Sequence, residues 1–140
     1  MKLLGIDYGS KRIGIAITDE LCMTANALTT IYRNGTVEYS QISDIVKKNG
    51  ITAIVVGLPV QTDGQLGQAA AKVHEFTEKL KTCLPENISI EFQDEQYTSK
   101  EVDSELRKFS VSVKKRKEKI DQLSARYILE MYIERNKPIK

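Results

Sequence analysis

The chain is short of the residues that staple small folds together. Its two cysteines, Cys22 and Cys83, stand far apart with no CxxC or Cys/His cluster around either, so neither a disulfide framework nor a zinc site is predicted. A reducing cytoplasm is the expected compartment. Long hydrophobic runs are missing too. The longest, such as Ile51 to Pro59, fall far short of the roughly 20 residues that cross a bilayer. A single lysine precedes the first strand-like segment, so neither a membrane span nor a signal peptide is expected. Histidine is nearly absent: His74 is the only one, beside Val73 in a helical pattern, where packing or a surface role is expected rather than general-base work. Repeats, low-complexity segments and linkers are also lacking. What remains is 140 residues, 41% of them hydrophobic, enough for one core but not two. A single domain over residues 1–140 is expected.

Net charge is only +2, but its distribution is uneven. Between Arg107 and Lys119 seven basic residues (Arg107, Lys108, Lys114, Lys115, Arg116, Lys117, Lys119) stand with one acid, Glu118. Such a block suits a local basic surface for a polyanion. The alternative is a solvated, mobile loop.

Hydrophobic periodicity predicts an α/β architecture. Lys2 to Asp7 reads as an apolar strand, and Arg12 to Thr18 alternates with Ile13, Ile15 and Ile17 on one face. The turn-prone Tyr8-Gly9-Ser10-Lys11 between them makes a hairpin. Ala25 to Tyr32 is a candidate third strand. Val37 to Lys48 has helical spacing and ends at Asn49-Gly50, a natural C-cap. Ile51 to Gly57 is the β-branched run of a parallel strand covered on both faces, followed by a Pro- and Gly-punctuated loop, Leu58 to Gly67. Leu66, Ala69, Ala70, Val73, Phe76 and Leu80 mark an amphipathic helix, and Ile88, Ile90 and Phe92 a further strand. Two helices, about Ser99 to Lys108 and Ile120 to Glu134, close the chain. An antiparallel hairpin followed by β-α-β crossovers implies a mixed sheet flanked by helices.

Three acids stand where such a sheet gathers side chains. Asp7 closes the first strand, Glu95 lies just beyond the last, and Asp121 begins the final helix; all belong to the carboxyl edge. Carboxylates collected there repel one another and call for a hard cation, and oxygen-only ligands suit magnesium or manganese. Each acid also has a plain reading. Asp121 is an aspartate in a first helical turn, favoured by capping or the helix dipole, although its stripe of Ser124, Ala125, Ile128 and Tyr132 is set to press against the sheet. Asp7 is a turn-starting acid. Strand parity leaves open whether Asp94 or Glu95 faces the site.

Four stretches in order carry a resemblance. They are Leu4-Gly5-Ile6-Asp7-Tyr8-Gly9-Ser10-Lys11-Arg12-Ile13-Gly14-Ile15-Ala16; Val55-Val56-Gly57-Leu58-Pro59 with Asp63-Gly64; Asp94-Glu95-Gln96-Tyr97-Thr98-Ser99; and Lys114-Lys115-Arg116-Lys117 ahead of Asp121-Gln122-Leu123-Ser124-Ala125. Together they closely resemble the YqgF/RuvX family over nearly the whole chain. The resemblance implies an RNase H-like fold: a mixed five-stranded sheet with an antiparallel N-terminal hairpin and helices on both faces. It also implies a nuclease, described as a Holliday-junction resolvase or as the enzyme maturing the 5′ end of the 16S ribosomal RNA precursor. Its acidic positions fall on Asp7, Glu95 and Asp121. Two departures stand out. Gln96 occupies a place where the family usually has arginine, and Ser124 stands where the related RuvC resolvases place a further acid.

The expected chemistry is phosphodiester hydrolysis assisted by Mg2+ or Mn2+, with two ions about 3.5–4 Å apart activating water and balancing charge on the phosphate. Asp7 is expected to bridge them, Glu95 and Asp121 to complete their shells. Lys11, Arg12, Lys114, Lys115, Arg116 and Lys117 are expected to meet backbone phosphates without reading sequence. Tyr8 and Tyr97 are expected to pack, with base stacking as the alternative, and Gly57, Pro59 and Gly64 to shape a nearby loop in which Asp63 is a turn residue. The partner is structured RNA or branched DNA, and no membrane. Ribosomal RNA trimming suits a monomer, whereas paired cuts in a four-way DNA junction require a homodimer; the family favours RNA. Two other readings are weighed. Asp7-Tyr8-Gly9-Ser10 also looks like the first phosphate turn of the sugar-kinase and actin-like ATPases, but those bind nucleotide between two such domains. A non-catalytic nucleic-acid-binding module is the other, since fold alone does not give function.

Overall fold

The computed structural model describes residues 1–59, 67–95 and 113–136. Strands β1 (Leu3–Tyr8), β2 (Arg12–Thr18) and β3 (Ala25–Tyr32) form an antiparallel meander, while β4 (Ala53–Pro59) and β5 (Ser89–Glu95) run parallel to β1. The sheet order is β3-β2-β1-β4-β5. This is the expected mixed five-stranded sheet with an N-terminal hairpin. The interior strands β1 and β4 are buried on both faces from Leu3 to Ile6 and from Ala53 to Gly57, which explains why they read as continuous apolar runs rather than alternating ones.

Helices α1 (Val37–Asn49) and α2 (Gln68–Lys81) cover one face. Ile42, Val46, Val73, Phe76 and Leu80 pack there against Leu4, Ile6, Ile13, Ile15, Ile54 and Val56. Gly50 ends α1 in the left-handed conformation, φ 64°, as Asn49-Gly50 predicts. The other face belongs to α3 (Val113–Arg135), which crosses the sheet and seals Ala125, Ile128 and Leu129 onto Leu3, Ala16, Ala53 and Val55. Ala16, Ala53 and two glycines keep this face of the sheet low, so the helix comes close. A Cβ at Gly5 would lie 2.5 Å from Leu129 Cγ, and one at Gly14 only 1.9 Å from the Asp121 carbonyl oxygen. Gly14 is where helix and sheet touch backbone to backbone.

Two expectations change. The final helix begins at Val113, not near Ile120, so Lys114 to Lys117 form its first turns instead of a loop. Apolar periodicity misses these turns because polar bonds hold them: Thr30 Oγ1 donates to the Glu118 carbonyl at 2.9 Å, Tyr32 Oη to Glu118 Oε1 at 2.9 Å, and Gln122 Nε2 to Thr30 Oγ1 at 3.1 Å. Asp121 consequently sits more than two turns inside the helix, too deep for capping or for the dipole of the first turn to explain it. The expected helix over Ser99 to Lys108 lies outside the described residues. Among the described residues no helix is long and apolar enough to cross a membrane.

Candidate active site

Alternation along β1 sends Leu4, Ile6 and Tyr8 toward α1 and α2, and Leu3 and Gly5 toward α3. Asp7 follows the second set. It pairs across the hairpin with Gly14, the residue on which the backbone of Asp121 rests. Asp7 and Asp121, remote in sequence, therefore occupy one face of the sheet at the carboxyl end of β1. Asp94 and Glu95 pair with Leu58 and Pro59 of β4, and Glu95 is the last residue of β5. Glu91 accepts a hydrogen bond from Tyr132 Oη of α3, so position 95, two steps of alternation further, shares the α3 register. Asp94 shares that of Ile90 and Phe92, which pack on the opposite core. The parity left open in the sequence thus divides the pair at the backbone level, and the side chain of Glu95 lies outside the described residues.

Asp121 is the better-defined acid. Its Oδ2 accepts from Arg12 Nε at 2.6 Å, with side-chain exposures of 15% and 23%. Burial raises its pKa above the ordinary carboxylate value, the Arg12 hydrogen bond and charge oppose this in part, and Glu118 adds to the rise. A half-buried carboxylate with elevated proton affinity is an unfavourable feature retained by the fold. Arg12, expected to meet phosphate, is engaged with Asp121 in this arrangement. Among the described residues no group of three or more His, Cys, Asp or Glu side chains forms a metal cage. The described donors at this edge are the carboxylates of Asp7 and Asp121, oxygen ligands whose chemistry fits a hard divalent cation completed by water and phosphate.

The basic residues divide. Lys11 is exposed in the hairpin turn, and Lys114, Lys115 and Lys117 are exposed on the opening turns of α3, with Arg116 half-buried. Lys114 Nζ lies 5.9 Å over the Tyr32 ring. Lys117 precedes Asp121 by four residues, one turn along the same helix, so the cations lead directly to the acid. Ser124 is buried on the sheet-facing side of α3. Tyr8 packs, its ring stacked on Phe76 at 4.2 Å, and His74 lies 4.8 Å from the Phe92 ring. Gly57 and Pro59 close β4; Asp63, Gly64, Gln96 and Tyr97 are outside the described residues.

Sequence reading missed Arg33. Its Nη1 donates to the Gly9 and Ser10 carbonyls at 2.9 and 2.8 Å, and its guanidinium lies 4.4 Å over the Tyr8 ring. Behind it Glu38, buried, stands 3.6 Å from Arg33 Nε and accepts the Asn34 and Gly35 amides at 3.1 Å. Burial pushes the Glu38 pKa up, but the amide hydrogen bonds and Arg33 outweigh it and hold the group below its ordinary value. This pair fixes the turn next to Asp7. The one signal for it was Asn34 ahead of an acid in the first turn of a helix, a capping pattern that says nothing about the turn it braces.

Residues 1–135 match the family RuvX, described as Holliday junction resolvase. A relative from Sulfurihydrogenibium sp. (strain YO3AOP1), named "Putative pre-16S rRNA nuclease", is 40% identical over 134 residues, covering 96% of this chain and 90% of the relative. A relative of the same name from Thermosynechococcus vestitus is 36% identical over 135 residues, covering 96% and 88%. Among solved structures, RuvC of T. thermophilus in complex with a Holliday junction substrate superposes with a TM-score of 0.57 at 14% identity, over 97% of this chain and 96% of that one. The fowlpox virus Holliday junction resolvase gives 0.53 at 14%, over 96% and 99%. At such identities these two structures speak to the fold alone, and the fold they share is the RNase H-like one.

Proposed function

We propose, from the premise that this chain belongs to the RuvX family, that it is a phosphodiester hydrolase whose substrate is the 16S ribosomal RNA precursor, trimmed at its 5′ end. The observation that carries the reading is the seating of Asp121 on Gly14, the hairpin partner of Asp7. It gathers two carboxylates on one face at the edge where α/β folds act on ligands. Asp7, Asp121 and Glu95 are the proposed ligands for Mg2+ or Mn2+, which when bound supplies an activated water and compensates charge on the phosphate. Arg12 keeps Asp121 oriented and its charge balanced. Lys11 and the Lys114, Lys115, Arg116 and Lys117 turns hold backbone phosphates on either side of the acids, which gives affinity without sequence readout.

Names of relatives favour RNA; the family description favours a four-way DNA junction, and that is the second reading. Both substrates should be offered to the wild type and to Asp7→Asn with magnesium or manganese. Precursor RNA is expected to be cut, and Asp7→Asn to lose about 10²-fold or more in rate, since a displaced metal forfeits several kcal/mol of transition-state stabilisation. Efficient cutting of the junction alone would replace the RNA reading with the resolvase one. Undiminished cleavage by Asp7→Asn would remove the site, and binding of either substrate without cleavage would make the chain a non-catalytic binding module.

A further inference from the structure

On the side of the sheet away from Asp121 lies a cavity of about 600 Å³ that the proposed reaction does not use. Its walls are the hairpin turn at Tyr8, Gly9 and Ser10, residues between Arg33 and Tyr39 at the opening of α1, the end of β4 at Pro59, and a side of α2 running from exposed Ala69 and Lys72 to buried Phe76. Tyr8 and Asp7 are consecutive on β1 and alternate to opposite faces, so the cavity and the acids flank the same sheet edge. A strand lying over the acids can reach the cavity across this edge.

The lining is specific in chemistry. Tyr8, Tyr39 and Phe76 form an aromatic cluster, with ring centroids 4.2 Å apart for Tyr8 and Phe76 and 5.6 Å for Tyr39 and Phe76. The Arg33 guanidinium is laid on Tyr8 and immobilised by the Gly9 and Ser10 carbonyls. Phe76 is buried and Tyr8 lies between Phe76 and Arg33, so the partly exposed Tyr39 ring and Arg33 guanidinium are the surfaces left for an unpaired base to stack on. Glu38 stands against Arg33 and Glu75 against Lys79, each at 3.6 Å. Inside, charge is nearly balanced, which suits a neutral base with its own donors and acceptors better than a bare phosphate. Lys72 stands exposed at the rim, where a phosphate attached to that base would lie. The volume falls within the range of small-ligand pockets, roughly 300–1,000 Å³.

We propose that this cavity receives one unpaired nucleotide of the substrate strand, next to the bond being cut. The proposal rests on the nuclease reading and deepens it: the substrate must be single-stranded at that position, because a base held in a duplex cannot enter.

The test uses the full chain and two exposed positions on α2. Ala69→Trp fills the cavity, and Lys72→Glu reverses its rim. Thermal melting checks that both variants fold. Fluorescence anisotropy then compares a short single-stranded RNA with the same sequence closed into a duplex, and 2-aminopurine placed at successive positions reports stacking. Wild type is expected to prefer the single strand and to quench 2-aminopurine at one position only. Each variant should weaken single-strand binding about tenfold, as loss of one stacked base predicts, and should change duplex binding by less than about twofold. A nucleoside monophosphate serves as competitor; displacement at lower concentration than the oligonucleotide itself would mean a site for free nucleotide and overturn the proposal. Equal single-strand affinity in folded variants would overturn it while leaving cleavage intact. If wild type binds neither RNA, the RNA-processing reading falls and takes this proposal with it.

Discussion

At the scale of single residues, one carboxylate is held where its charge costs stability. Asp121 has its pKa raised, by burial first and against the pull of Arg12. A group whose folded pKa exceeds its unfolded one binds protons more tightly when folded. Its contribution to stability is present in full below the unfolded carboxylate value and fades as pH climbs through the folded one. At neutral pH the ionised form therefore burdens the fold. Asp121→Asn is expected to abolish cleavage yet melt at or above the wild-type temperature at pH 7, with the difference shrinking in acid. A large loss of melting temperature at neutral pH would show that the Arg12 ion pair, not desolvation, dominates. Glu38 behaves in the opposite sense. Its pKa is lowered, since amide hydrogen bonds and Arg33 overcome burial, so its contribution is present above the unfolded carboxylate range and disappears as pH falls through the folded value. Replacing it by Gln should cost about 1–3 kcal/mol near neutrality and almost nothing at pH low enough to protonate wild type. Urea titrations at several pH values check this, and a penalty independent of pH would contradict it.

At the scale of elements, α3 and the hairpin form one unit. Gly14 lets the helix backbone descend onto β2, and Gly14→Ala should destabilise by about 1–3 kcal/mol through overpacking while lowering cleavage, because Asp121 must move with its helix. A variant as stable and as active as wild type would show that the contact is not needed. How much of this was legible follows from the kind of force involved. Strand β1, the β2 alternation and the Asn49-Gly50 stop were readable because burial and turn chemistry leave periodic traces. The start of α3 was not, because Thr30, Tyr32, Glu118 and Gln122 hold it by hydrogen bonds that impose no apolar period. Asp7 and Asp121 could be named as candidates from the chain, but their meeting depends on one glycine and a long-range contact. Arg12 could be called a cation, but its pairing with Asp121 depends on the depth of α3, which the sequence hides. Arg33 braces the hairpin through backbone carbonyls, and carbonyls carry no sequence signature.

Across the whole molecule the net charge is small, +2, so attraction to a polyanion has to come from a local field. The exposed lysines at the head of α3 supply one. Replacing Lys114, Lys115 and Lys117 together by Gln should weaken RNA binding and reduce the slope of log K against log salt by about 2, near the 0.7 expected per phosphate contact on a single strand. The unaltered slope would assign those contacts elsewhere. The catalytic rate at saturating RNA should change little, since the role proposed for these side chains is to hold the strand and not the reacting phosphate.

The bare backbone at position 14 carries one more implication. It works as a mechanical stop, setting both the height and the screw angle of the helix that bears Asp121. One residue inserted or deleted between Lys117 and Asp121 would turn the lysine-bearing first turns by about 100° around the helix axis relative to the acid that Gly14 holds in place. In a library of random variants selected for cutting, this stretch should accept altered letters but no change in length, and position 14 should accept no letter but glycine.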